Sequence, residues 1–239
     1  MKVAILAGGK GTRLAEETHA RPKGLVEIGG KPILWHILRY YEAFGFREFV
    51  IALGYMKESF RDYFRQLEQE GEHGSWKVEL VDTGEETNTG GRIKRLGPYL
   101  GDETFMLTWC DGLADVDLHA LLRFHESHGR LATLTAAHPP PRFGKLDLDG
   151  ATVTRFAEKE VDPNDWINGA FFVLEPEVLD YVDGDETSWD HVSLTQLSRE
   201  RQLMAYRHET FWQCMDNIHD RETLRKVWDQ GAAPWKKWS

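Results

Sequence analysis

Short β-type runs alternate with amphipathic stretches through the first half of the chain, and this rhythm limits the possible folds more than any other feature. The runs fall at 3–6, 48–53, 77–81 and 105–109. The stretches between and after them fall at 32–44 (PILWHILRYYEAF), at 57–70, from near Gly90, and at 118–128. In 57–70, Phe60, Tyr63, Phe64 and Leu67 recur at the spacing of one helix face. Parallel strands need long crossovers, usually helical. Repeated units of this length therefore predict a largely parallel sheet covered by helices.

After Leu131 the rhythm changes. Residues 131–137, 143–148, 152–158 and 168–174 read as strands separated by PPP and DLDGAT turn signals. Stretches 176–182 and 189–199 read as helical, a short strand pair including 208–212 follows, and 218–230 forms a last helix. The expected fold class is α/β: a mixed, mainly parallel sheet flanked by helices, with a smaller mixed lobe appended to the same sheet. One domain spans 1–239, its halves meeting near 130/131. A chain of 239 residues buries roughly 70–75% of its extended surface, so it needs no staples.

The net charge of -10 argues against nucleic acid or an anionic membrane as the main partner, so an anionic ligand must be met by a local cluster of cations. No apolar stretch approaches the ~20 residues of a membrane helix, and the first residues read as a strand rather than a signal segment. Two cysteines, Cys110 and Cys214, make no disulfide framework, and a reducing cytoplasm is the expected setting. The histidines show no zinc-type spacing, and His36, on an apolar helix face, reads as a satisfied core residue.

The first β-type run ends in LAGGKGTRL (6–14). Glycines permit close backbone approach, and successive N–H groups can converge on an anion. The dinucleotide pattern G-x-G-x-x-G fails because Leu14 takes the third glycine's place. The P-loop pattern fails because Gly11, not Ser or Thr, follows Gly9-Lys10. Lys10, Arg13, Arg21 and Lys23 nevertheless fall within fourteen residues, which suits a triphosphate of about four negative charges. The alternative is a strand-end turn carrying solvated cations. Asp111 follows the run 105–109, and in a parallel sheet that strand end shares an edge with the glycine turn. It reads either as a ligand-site carboxylate or as a simple D-G turn residue. Asp115 and Asp117 are rival ligands by their proximity to Asp111 but read rather as caps of the following helix, and Thr89 in TNTGGR reads as a helix N-cap.

LAGGKGTRL and RPKGLVEIGGKPILWHIL (21–38), followed by VDTGEETNTGGRIKRL, CDGLADVDL, RFGKLDL, INGAFFVLEP, FWQCMDN and APWKKW, resemble in order the sugar-1-phosphate nucleotidyltransferases. Among these the pattern is most similar to the glucose-1-phosphate cytidylyltransferases. The resemblance implies a glycosyltransferase-like fold and a reaction of CTP with glucose 1-phosphate that gives CDP-glucose and pyrophosphate, assisted by Mg²⁺. The same chemistry with UTP, GTP or another sugar 1-phosphate is the alternative, and a non-catalytic nucleotide-sugar sensor is a more distant one.

By resemblance, Arg13 and Lys23 are catalytic. Leu6, Ala7, Gly8, Gly9, Gly11, Thr12, Thr89, Gly90, Arg92 and Asp111 bind the nucleotide, with Arg92 available to a pyrimidine carbonyl. Glu158, Lys159, Asn168 and Gly169 bind the sugar phosphate, and Asp111 and Asp216 hold the metal. Without the resemblance, Lys159 reads as a solvated strand-end lysine. Trp166 and Trp212 are kept as site walls, while Trp35, Trp228, Trp235 and Trp238 read as packing. Similar enzymes are commonly oligomeric, so a homo-oligomer is among the assemblies the resemblance admits.

Overall fold

The computed structural model describes residues 1–11, 21–141 and 143–238. Strand β1 (Lys2–Leu6) is an interior strand of a seven-stranded sheet. The chain then forms a small hairpin, β2 (Glu27–Ile28) and β3 (Lys31–Pro32), and enters helix α1 (Ile33–Ala43). The units β4 (Glu48–Leu53) with α2 (Lys57–Gln69) and β5 (Lys77–Asp82) with α3 (Thr89–Leu100) extend the sheet on one side of β1. Strand β6 (Phe105–Trp109) returns to its other side, leading into β7 (Gly112–Ala114) and α4 (Leu118–His128).

The second half supplies β8 (Ala132–Ala137), a separate hairpin of β9 (Lys145–Asp149) and β10 (Thr152–Ala157), and then β11 (Ile167–Leu174). After α5 (Leu194–Arg199) come β12 (Leu203–His208), β13 (Trp212–Cys214) and α6 (Ile218–Asp229). The sheet order is β12-β8-β11-β6-β1-β4-β5. Only β11 runs against its neighbours β6 and β8, so the expected mixed, mainly parallel sheet is what forms.

Period-two alternation sends Val3 and Ile5 to one face of the sheet, against α1, and Ala4 and Leu6 to the other, against α3. Both faces are covered, which is why the parallel strands read as nearly continuous apolar runs. On the α1 face, Trp228 and Trp235 close over His36, whose Nε2 donates to the Ile28 carbonyl at 2.8 Å. The chain moves outward from β1 in both directions. The pair β1/β6 is therefore the topological switch point, where open α/β sheets form their ligand crevice.

Several local expectations shift. Residues 176–182 and 189–199 are not plain α-helix: Pro176–Tyr181 is a 3₁₀ helix, and Trp189–Ser193 is π-helical before α5 begins. The expected strand 208–212 is split: His208 ends β12, Trp212 begins β13, and 209–211 connect them, with His208 Nε2 3.2 Å from Asp115 Oδ1 and Thr210 Oγ1 donating to the same carboxylate oxygen. Asp117 caps α4 through the Ala120 N–H, whereas Asp115 is engaged in that turn contact. Asn88 caps α3, not Thr89: its Oδ1 accepts from Thr89 N, and Thr89 Oγ1 accepts from the distant Trp189 N–H.

Candidate active site

In the parallel register Leu6 sits opposite Trp109, and the Cys110 N–H donates to the Leu6 carbonyl. The glycine turn and Asp111 are thereby held on one sheet edge. Ala7 N donates to Ala52 O, and Gly8 O accepts from Tyr55 N, fixing the turn against the end of β4. A cavity of about 520 Å³ opens there, lined by Leu6, Gly8, Gly9, Gly11, Lys23, Thr89, Arg92 and Asp111 among others. Ala7 is buried behind it, and Gly90 packs so closely on the 185–187 segment that a Cβ would lie 2.7 Å from the Thr187 carbonyl. Thr12 and Arg13 lie outside the described residues.

Arg92 is buried, and its guanidinium donates to Thr83 Oγ1 and to the carbonyls of Leu53, Gly84 and Glu85. It thus holds the loop that forms one lip of the cavity. Sequence reasoning passed over Trp109, Glu85 and Glu86 as lining residues, and Lys10 reaches Glu86 at 2.7 Å across the mouth. Nothing in one sequence signals that loop 83–88 folds over the turn. The long-range bonds of Arg92 put it there.

Asp216 reaches the site through a second device. Strand β13 pairs antiparallel with β7, Cys214 opposite Gly112, and Met215 N donates to the Asp111 carbonyl. The two aspartates, 105 positions apart (216 − 111), converge on a single ammonium: Lys23 Nζ lies 2.6 Å from Asp111 Oδ2 and 2.8 Å from Asp216 Oδ1. All three side chains are largely buried. Burial works to lower the Lys23 pKa but is outweighed by the attraction and hydrogen bonds of Asp111 and Asp216, leaving it raised. Burial pushes the Cys110 and Cys214 thiols up to about 12, so both remain protonated beside the acidic pair.

Two carboxylates converging on one cation are a fitting donor set for Mg²⁺, which takes one or two protein carboxylates and completes its shell with water and substrate phosphate. Among the described residues no cluster of three or more His, Cys, Asp or Glu forms an all-protein cage.

A second cavity, of about 550 Å³, is lined by Asp216, Trp212, Cys214, Lys145 and Pro139–Pro141 among others. Trp212 Nε1 donates to the Gly169 carbonyl at 2.7 Å. Strand β11 breaks its register between Asn168 and Phe172, and Asn168 Oδ1 accepts from Ala170 N, where Ala170 has φ 59°. Asn168 Nδ2 also donates to Asp190, whose carboxyl is raised by burial. Glu158 and Lys159 follow β10 and are exposed, and neither is among the residues lining this cavity. Lys159 has φ 52°, a left-handed conformation that costs a lysine free energy and recurs near functional sites. Trp166, the other suggested wall, stacks against His138 and lies beneath Arg207.

The geometry defines a class: an α/β protein in which an acidic pair sharing Lys23 lies between a cavity at the glycine turn and a second cavity at Trp212. The chain belongs to the nucleotidyltransferase family, whose model matches residues 2–216. It is 46% identical to the glucose-1-phosphate cytidylyltransferase of Salmonella typhi, with all of both chains covered. It is 31% identical to the mannose-1-phosphate guanyltransferase of Kluyveromyces lactis, covering 89% of this chain and 60% of that one. The solved UDP-glucose pyrophosphorylase complexed with UDP-glucose shares the fold, with a TM-score of 0.74 at 15% identity over 96% of this chain and 98% of that one. No helix among the described residues is long and apolar enough to cross a membrane.

Proposed function

We propose that this chain joins CTP and glucose 1-phosphate to give CDP-glucose and pyrophosphate. One observation carries the reading beyond family membership: Asp111 lines the first cavity, Asp216 lines the second, and the two carboxylates meet at Lys23. A reaction between a phosphate held in each cavity has its reacting atoms at that junction.

The glycine turn receives the triphosphate on backbone N–H groups, and loop 83–88, positioned by Arg92, bounds the base and ribose. Leu6, Ala7, Gly8, Gly9, Gly11, Thr12, Thr89 and Gly90 belong to this nucleotide surface in the proposal. The sugar phosphate approaches from the Trp212 side, beside Asn168 and Gly169, and Glu158 and Lys159 reach it from the exposed end of β10, outside the lining of the second cavity; the register break at Asn168 supports this assignment. Its phosphate is already ionised, so no general base is required. An oxygen of glucose 1-phosphate attacks the α-phosphorus in line, the new O–P bond forms, and the bond to the β-phosphate oxygen breaks with its electron pair leaving on pyrophosphate. Lys23 supplies positive charge at the α-phosphoryl group, and Arg13 neutralises charge on the leaving group. Mg²⁺ held by Asp111 and Asp216 would polarise and align phosphate oxygens.

Pyrophosphate release measured across CTP, UTP, GTP and ATP with glucose 1-phosphate and mannose 1-phosphate tests the reading. Release with CTP and glucose 1-phosphate above all other pairs is expected. Release with another pair alone would move the substrates, and none with any pair would remove the activity.

A further inference from the structure

Lys23 occupies the point at which the proposed reaction needs a different cation. The oxygens that accept from its ammonium, Asp111 Oδ2 and Asp216 Oδ1, belong to the carboxylates assigned to the divalent ion. An ammonium 2.6 and 2.8 Å from those two oxygens and a divalent ion bound to the same oxygens compete for one place. We infer that Lys23 is an exchangeable counter-ion of the metal site. Its ammonium neutralises the acidic pair until a metal-bound triphosphate claims those carboxylates, and it then turns to the phosphates in the cavity it already lines.

Charge decides why this exchange is conditional. Asp111, Asp216 and Lys23 together carry one net negative charge. A divalent ion entering alone would turn that into one net positive charge, with a displaced ammonium confined in a largely buried place. With about four negative charges arriving on a triphosphate, the displaced ammonium gains a partner instead.

The lysine is built for such a movement. Its backbone is fixed, because the Lys23 carbonyl accepts from Val26 N and a Cβ on Gly24 would lie 3.3 Å from the Cys110 Cβ. Its four-carbon stem carries a point charge whose donors reorient, unlike the planar fork of arginine. Lys23 also shares its cavity with Gly9 and Gly11, so a phosphate on the glycine turn lies on the same side.

The inference rests on the nucleotidyl-transfer reading for its metal, but it is tested without turnover. Mn²⁺ binding to the whole 239-residue chain, followed by the paramagnetic resonance of free Mn²⁺ without nucleotide, is compared for wild type, Lys23→Met, Lys23→Arg and the double variant Lys23→Met/Asp216→Asn. Lys23→Met is expected to bind Mn²⁺ roughly tenfold or more tightly than wild type, the equivalent of one charge-assisted hydrogen bond ceasing to compete. Lys23→Arg keeps a competing charge and stays weak, and the double variant loses the gain. Should Lys23→Met unfold for want of a counter-ion, Mn²⁺ alone is expected to restore its thermal transition, and failure to restore it counts against the exchange. Equal or weaker binding by folded Lys23→Met would overturn the inference. If Mn²⁺ binding rises while no substrate pair releases pyrophosphate, the exchange stands and the proposed reaction falls. If turnover is found but binding does not rise, only the exchange falls.

Discussion

Gly8 and Arg92 form one packing unit: a methyl group on Gly8 would lie 2.2 Å from Nη1 and 2.6 Å from Cζ of the buried guanidinium. The glycine turn therefore needs its bare backbone to admit the arginine on one side, apart from the ligand proposed on the other. Gly8→Ala must displace a side chain whose donors hold loop 83–85 in place. Overpacking of this kind costs roughly 1–3 kcal/mol, a fall of several degrees in Tm for a chain of this size. Gly9 offers the control, since a Cβ there meets nothing within 4 Å. Calorimetry is expected to show a lowered Tm for Gly8→Ala and little change for Gly9→Ala, while both raise KM for CTP.

Arg92→Lys separates charge from geometry. An ammonium supplies at most three donors where the guanidinium serves three carbonyls and a hydroxyl spread over residues 53–85. A buried acceptor left without its donor costs about 1–3 kcal/mol. Hydrogen exchange at 83–88 is expected to quicken, with KM for CTP raised and KM for glucose 1-phosphate unchanged. Unaltered exchange in that loop would show that Arg92 does not position it.

The asymmetry of the two cavities gives a converse prediction. Trp212→Phe removes the donor to the Gly169 carbonyl and leaves the first cavity's lining intact. Losing one such bond is worth about 0.5–1.5 kcal/mol, or roughly two- to tenfold in KM for the sugar phosphate. Steady-state kinetics with each substrate varied should place the effect on glucose 1-phosphate alone. Equal effects on both KM values would contradict the division of the site.

His36 gives the chain a titration in its folded state. Burial pushes its pKa down from 6.5 to about 4, partly opposed by the carbonyls of Ile28 and Lys31. The unfolded chain binds this proton first as pH falls, so the stabilisation is complete above about pH 6.5 and is lost progressively towards pH 4. The loss amounts to about 3 kcal/mol over that window. Denaturant titrations at pH 7 and pH 4.5 should show a shallower pH dependence for His36→Gln than for wild type, because glutamine can donate to Ile28 without titrating.

Much of this was legible before any coordinates, for identifiable reasons. Asp111 could be placed because strand ends in a parallel sheet share an edge, and the Leu6–Trp109 register is that geometry realised. His36 was legible as a satisfied core residue because its neighbours in sequence are apolar on the same helix face. Thr89 was misread as a cap because the competitor is its own neighbour Asn88, and the bond that gives Thr89 another task comes from Trp189. Lys145 was not singled out, since its place in the second cavity depends on how the 145–157 hairpin leaves the main sheet. The meeting of Lys23 with both aspartates shows the same limit, since spacing along a chain does not reveal which carboxylates will share an ammonium.

The central claim is that phosphates held in two cavities react where Asp111, Asp216 and Lys23 meet. Phosphorus NMR of a reaction containing CTP, glucose 1-phosphate and Mg²⁺ tests it most directly. CDP-glucose and pyrophosphate are expected to appear in equal amounts with wild type, and neither to appear with Asp111→Asn or Asp216→Asn at matched folding. Unchanged product formation by either aspartate variant, or consumption of CTP to CDP and phosphate without CDP-glucose, would contradict the account.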